Sequence, residues 1–333
     1  MHRFIQTLSI ALIIPLLGLI ALYFLMDPYK TLKPFSLEYF DSTNRDYLSS
    51  ELFLLNYPEQ KYDSFIFGSS RGCGLNTYHW AKYLPEGSNQ FLFQAWSETL
   101  TGIEQKIEFI DGKGYELNNA IILFDIPGSF SDNQSPTDAM TIKDPRFSRQ
   151  PIWKYQLNLL ADFMQKPSQW VRAVWKSHPR IDFDIVSNDW GINNRYMDFD
   201  IPPAKDSLNN LSPRAKTSFL IDNYNKTDDD LVCSDPVIGN DAKQKLRNIK
   251  RIFDNNRTDY RIIITPGYCY SYPSISPVDL NFLKQVFGTE NVFNYSGKNY
   301  LTEDYNNFSD PNHFSQYVGW EILEDIYNQN NHL

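Results

Sequence analysis

The chain has 333 residues, 42% hydrophobic and 21% charged, a composition that fits a globular protein and excludes a mainly disordered one. A formal charge of -9 and a pI near 5.1, with no stripe of Lys and Arg, exclude a broad electrostatic footprint for nucleic acid. Three scattered cysteines, Cys73, Cys233 and Cys269, make no disulfide framework and have no zinc-type spacing, so neither metal nor cofactor is expected; whether two of them pair is left open.

The first element is the apolar run from Leu8 to Met26, roughly long enough as a helix to cross a ~30 Å hydrocarbon core. Pro15 and Gly18 are tolerated in such a span, and Tyr23 and Phe24 suit its far interface. The run is long for a cleaved signal and its exit, YFLMDPYK, lacks a small-residue cleavage site, so a retained anchor over 1–26 is expected. Arg3 before it and Lys30 and Lys33 after it leave its orientation open. Residues 27–60 are polar, aromatic and Pro-punctuated and read as a stalk and lead-in to a domain at 61–333.

Within that domain, short β-prone runs (DSFIFG, then QFLF at 90–93, NAIILFD at 119–125, YRIIIT at 260–265 and NVFNY at 291–295) are interspersed with helical patterns at 98–113, 241–256 and 278–288. The alternation predicts a flavodoxin-like three-layer α/β/α fold with a mainly parallel sheet of about five strands, whose ligands bind beyond the strand carboxyl ends. From about 128 to 240 the alternation stops, and this helical and loop segment reads as an insertion, either structural filler or a lid that shapes a substrate site. Asn188, Asp189 and Trp190 within it suit a sugar contact or ordinary loop chemistry. His79 reads as packed beside Trp80 on a helix.

Two short blocks carry the chemistry. Gly68-Ser69-Ser70-Arg71-Gly72 directly follows the first strand, which puts a serine hydroxyl at the sheet's carboxyl edge. A serine is a poor nucleophile at neutral pH without a positioned base. Asp310-Pro311-Asn312-His313, expected at the start of a helix, supplies an imidazole and a carboxylate to hold its tautomer. Each block alone is an ordinary turn or helix cap; their order, Ser block first and DxxH block last, is the specific feature.

The pair resembles the SGNH or GDSL-like hydrolases. Gly68-Ser69-Ser70 is similar to the family's Gly-Asp-Ser block, with Ser69 in place of Asp, and Asp310-Pro311-Asn312-His313 is similar to its final Asp-x-x-His block. The resemblance implies Ser70 as nucleophile, His313 as base and Asp310 as its orienting acid. The GSSR variant behind an amino-terminal anchor is most similar to the membrane-attached subgroup that includes the D-alanine transfer protein of the teichoic-acid system and the alginate O-acetylation proteins. It therefore implies a domain outside the cytoplasm, an envelope polymer or glycan as substrate, and a membrane-bound O-acyltransferase as partner. The family's oxyanion-hole Gly and Asn are not matched: the corresponding loops read Gln94-Ala95-Trp96-Ser97-Glu98 and Asp125-Ile126-Pro127-Gly128-Ser129. Backbone N–H groups of Ser70 and Ala95, and the side chains of Ser97 or Arg71, are the replacement donors considered; Asp125, if ionised, cannot donate. Arg71 suits either an acidic substrate group or a structural ion pair. The expected function is a serine acyl-ester hydrolase or O-acyltransferase, with a non-catalytic accessory protein of the same fold as the alternative.

Overall fold

Five apolar runs form one sheet, and the helices between them cover it. In chain order the elements of the computed structural model are α1 (His2–Met26), α2 (Arg45–Gln60), β1 (Ser64–Gly68), β2 (Gln90–Gln94), α3 (Leu100–Gly112), β3 (Asn119–Phe124) and α4 (Ile152–Gln165). They continue with α5 (Asn240–Asn256), β4 (Asp259–Ile264), α6 (Pro277–Phe287), β5 (Val292–Asn294), β6 (Phe308–Asp310), β7 (His313–Phe314) and α7 (Gln316–Asn328). The structure describes residues 2–34, 44–131, 138–167 and 226–328, with an antiparallel backbone pair at 192–193 and 198–199. Asn188, Asp189, Trp190 and most of the second half of the expected insertion lie outside the described residues. The chain divides into two compact units, Met1–Leu48 with Gln134–Asp189, and Ser49–Asn133 with Trp190–Leu333.

The larger unit is the expected three-layer α/β fold. Its sheet runs β2-β1-β3-β4-β5 with every pair parallel, registered by Ser64 opposite both Gln90 and Asn119 and by Asn119 opposite Asp259. All residues of β1, β2 and β3 are buried, which is why these strands read as continuous rather than alternating apolar runs. The chain leaves β1 for β2 on one side and returns to β3 on the other. The carboxyl ends of β1 and β3 therefore flank a topological switch point, where such sheets open a crevice.

The helices follow from spacing and caps. Thr99 starts α3 by accepting the Gly102 N–H, and Leu100, Ile103, Ile107 and Ile110 then fall on one buried face. Ser276 caps α6 with Pro277 in its first turn, and α6 ends at Gly288, whose positive φ (90°) a residue without a side chain adopts readily. Part of the stretch expected as a stalk is instead α2. Leu52 and Phe53 are buried, with the Phe53 ring 5.1 Å from Phe93 and 5.5 Å from Phe91. Surrounding polar residues and Pro58, which lies in its last turn, obscured the helical spacing of Leu48, Leu52 and Phe53.

The loop after β2 is pinned by a buried ion pair between Lys106 and Glu98, both essentially inaccessible to solvent. The other Glu98 oxygen accepts the Thr99 N–H at 3.0 Å, and the ammonium lies 4.9 Å from the Phe93 ring centre. Lys106→Met strands the carboxylate and is expected to destabilise the fold by about 3–5 kcal/mol in urea unfolding. The double variant Lys106→Met/Glu98→Gln, which removes the stranded charge, is expected to recover part of that loss.

In the smaller unit, α1 is one helix long and apolar enough to cross a membrane. It starts at His2, earlier than the apolar run alone indicates, and its 25 residues span about 37 Å. Asp27 stops it: the chain turns to positive φ there, and the carboxylate accepts the N–H groups of Thr31, Leu32 and Lys33. The carboxyl end of α1 and the turn after it pack against α4 in a small core of Tyr23, Tyr29, Ala139, Ile142, Leu159 and Phe163. No disulfide joins Cys73, Cys233 and Cys269.

Candidate active site

Beyond the carboxyl end of β1, the chain tightens into a 3-10 turn, Ser70–Gly74, started by Ser69. The Ser69 hydroxyl accepts the Arg71 N–H at 3.2 Å and donates to Oδ2 of Asp125, the residue that follows β3. This bridge closes the switch point and fixes the backbone that presents Ser70. As first residue of the turn, Ser70 has an N–H with no acceptor inside it.

The distant carboxyl-terminal block meets this turn. Ser70 Oγ lies 2.8 Å from His313 Nε2, and His313 Nδ1 lies 2.8 Å from Asp310 Oδ2. The other Asp310 oxygen accepts the Asn312 and His313 N–H groups at 2.8 and 3.1 Å. Burial raises the Asp310 carboxyl, but these hydrogen bonds and the imidazole's charge outweigh it and hold Asp310 below the ordinary carboxylate range. With Nδ1 donating to a carboxylate, Nε2 is left to accept the serine proton. The His313 side chain is 31% exposed, so the relay is open to an incoming substrate.

Asp310 and His313 do not sit at a helix start, as their spacing suggested. They face each other across the two-residue turn between β6 and β7. The cap of α7 is Ser315, whose hydroxyl accepts the Val318 N–H and whose carbonyl accepts the Gly319 N–H. The Pro311 carbonyl at the tip of the turn accepts the Tyr268 N–H at 3.0 Å, which ties the turn to the loop after β4.

What lets two blocks more than 240 residues apart come together is close backbone approach. A Cβ on Gly74 would lie 2.2 Å from the Phe314 ring, and a Cβ on Gly319 would lie 1.9 Å from the Gly74 carbonyl oxygen. Neither glycine needs unusual dihedrals here; each is small because another part of the site occupies the space. Gly319→Ala is expected to push α7 and β7 off the serine turn. Overpacking of this kind costs about 1–3 kcal/mol. A lowered melting temperature is the expected result, and an unchanged one contradicts this close packing of α7 against the serine turn.

The remaining site residues make contacts of their own around the serine turn. The Ala95 N–H donates to the Gly68 carbonyl at 3.2 Å, so it continues the β1–β2 ladder and is not free for an oxyanion. Asp125 does not face a reacting group unpaired: one oxygen takes the Ser69 proton, and the other accepts from Thr265 Oγ1 at 2.7 Å and lies 3.6 Å from Arg71 Nε. Arg71 is only 6% exposed, donates to Thr265 Oγ1 at 2.8 Å and stacks 4.4 Å from the Tyr272 ring centre, which makes it part of the scaffold rather than a substrate ligand. Ser97 is exposed on the loop after β2 in a left-handed conformation (φ 47°). Thr265 and Tyr272 were missed; Thr265 is the residue following β4, and strand carboxyl ends are where ligands and their supports gather. His79 stacks on Trp320 at 4.7 Å rather than on its neighbour Trp80, and burial followed by the Lys82 charge lowers its pKa.

Chemically, a hydroxyl bonded to an imidazole that is bonded in turn to a carboxylate is the arrangement that turns a serine into a nucleophile near neutral pH. No protein-family model matches the chain, and neither does any curated protein sequence.

Proposed function

We propose that the chain is a membrane-anchored serine acyl-ester hydrolase or O-acyltransferase of the SGNH type. The observation that carries this reading is the hydrogen-bonded series Ser70, His313, Asp310 at the switch point of a parallel sheet. In the first half-reaction His313 Nε2 takes the Ser70 proton as Oγ attacks an ester carbonyl; the tetrahedral adduct then collapses, and His313 returns the proton to the leaving alcohol. In the second, water or a sugar hydroxyl gives its proton to His313 and attacks the acyl-serine; the adduct collapses with breakage of the acyl–Oγ bond, His313 returns the proton to Ser70 Oγ, and free acid or a new ester leaves. The Ser70 N–H, which opens the 3-10 turn, is the backbone donor this reading assigns to the developing oxyanion. The similarity of the two sequence blocks to the membrane-attached SGNH subgroup supports an exported or envelope polysaccharide as substrate, a membrane-bound O-acyltransferase as partner, anchorage by α1 and a domain outside the cytoplasm.

A second reading, a non-catalytic accessory protein of the same fold, is favoured by one observation: the Ala95 N–H and the Asp125 carboxylate are both committed elsewhere, which leaves the oxyanion position thinly supplied. The full chain in detergent micelles, mixed with p-nitrophenyl acetate, separates the two. Catalysis gives a burst of nitrophenol with acetylated protein in the mass spectrum, followed by steady turnover. Release no faster than in buffer, with no acetylated protein, favours the accessory reading.

A further inference from the structure

We propose that α4 is a second membrane contact, an amphipathic helix that lies in the bilayer interface beside the exit of α1; the proposal rests on reading α1 as a span. Three observations carry it. First, α4 is fastened to the end of α1 and to the turn after it: Tyr23 Oη bonds Gln156 Oε1 at 2.8 Å, the Tyr23 and Phe163 rings are 5.6 Å apart, and Tyr29 Oη bonds Asp162 Oδ2. The depth of α4 is therefore set by the residues at which α1 leaves the hydrocarbon.

Second, α4 turns its polar-bonded and buried positions towards that junction and leaves Ile152, Trp153 and Leu157 outside, 67%, 64% and 55% exposed. Trp153 and Leu157 are one helical turn apart and present one apolar edge. On α1 the exposed apolar surface continues to Phe24 and Leu25, beside Tyr23, the residue through which α1 contacts α4. A water-facing edge of this kind is costly, whereas a tryptophan flanked by aliphatic residues suits the headgroup boundary.

Third, charge changes sign locally. The described residues of this unit carry nine Lys and Arg against five Asp, while the whole chain carries 31 against 40 acidic residues. Lys154 is exposed on α4 itself, next to Trp153. A unit of net positive charge with a lysine beside its apolar edge complements anionic lipid headgroups. The consequence is positional: the smaller unit is held to the bilayer at two points, by α1 and by α4, rather than by a single helix.

The full chain, with its three cysteines replaced by serine, is labelled with an environment-sensitive fluorophore at Leu157→Cys, at Leu17→Cys in α1, or at Val278→Cys on the exposed start of α6. It is then reconstituted into vesicles of phosphatidylcholine and phosphatidylglycerol. The expected result is blue-shifted emission at positions 157 and 17 that brominated lipid quenches, and unshifted emission at 278 that iodide quenches. Lipid quenching at 17 but iodide quenching at 157 overturns the interfacial helix and leaves the span standing. A label at 157 shielded from both quenchers means that protein rather than lipid covers the edge, which also overturns the proposal. Loss of lipid quenching at both 17 and 157 removes the span reading and the interfacial helix together.

Discussion

Ser70→Ala is expected to lower the rate of acetyl-ester hydrolysis by roughly 10⁴- to 10⁶-fold, the range lost when the nucleophile of a serine hydrolase is removed. The loss is large because the hydroxyl is the atom that forms the new bond; without it His313 has no proton to take, and no acyl-serine forms. Stability is expected to change little. Ser70 is partly exposed, its side-chain hydrogen bond is to His313, and the turn that holds it is closed by Ser69, Asp125 and the backbone. Steady-state kinetics beside thermal melting reads both quantities. A rate within a few-fold of wild type shows that the hydrolysis arises elsewhere.

Asp310→Asn is expected to reduce kcat by about 10⁴-fold, the size of effect when the acid of such a triad becomes an amide. Asp310 accepts three N–H bonds, from the His313 ring and from the Asn312 and His313 backbones. An asparagine presents one carbonyl oxygen and an amide that donates. Either the backbone turn or the ring tautomer must therefore lose a partner, and a ring flipped to protonate Nε2 cannot accept the serine proton. The pH dependence has a definite sign. Because the folded state holds Asp310 below its unfolded value, the carboxylate's contribution is complete above the ordinary carboxylate range and is lost as pH falls through the depressed folded value. The part of the stability that Asp310 contributes is thus expected to fall on acidification below the ordinary carboxylate range in the wild type and to be missing from Asp310→Asn. A melting temperature that falls with pH in the same way in the wild type and in Asp310→Asn contradicts this sign.

Much of the fold was legible because buried parallel strands and amphipathic helices write different periods into the chain. The runs ending at Gly68, Phe124 and Ile264 were located to within a residue or two, since each carries at least three consecutive apolar residues and stops at a Gly, Asp or Thr. The α2 helix was missed because its buried residues are diluted by polar ones and by Pro58. At the site, residue types carried Ser70, His313 and Asp310, whose chemistry is intrinsic to their side chains. Thr265, Tyr272, Gly74 and Gly319 act only through what lies opposite them in space, a relation that no local pattern records. The commitment of the Ala95 N–H to Gly68 is of the same kind, because a hydrogen bond between neighbouring strand ends depends on register.

Fluorophosphonate labelling of the full chain, followed by peptide mapping, tests the nucleophile and its base in one experiment. The expected result is a single adduct on Ser70, formed more slowly as pH falls and absent from His313→Gln. An adduct on another residue, or equal labelling of Ser70 when His313 is replaced, contradicts a hydroxyl activated by that imidazole.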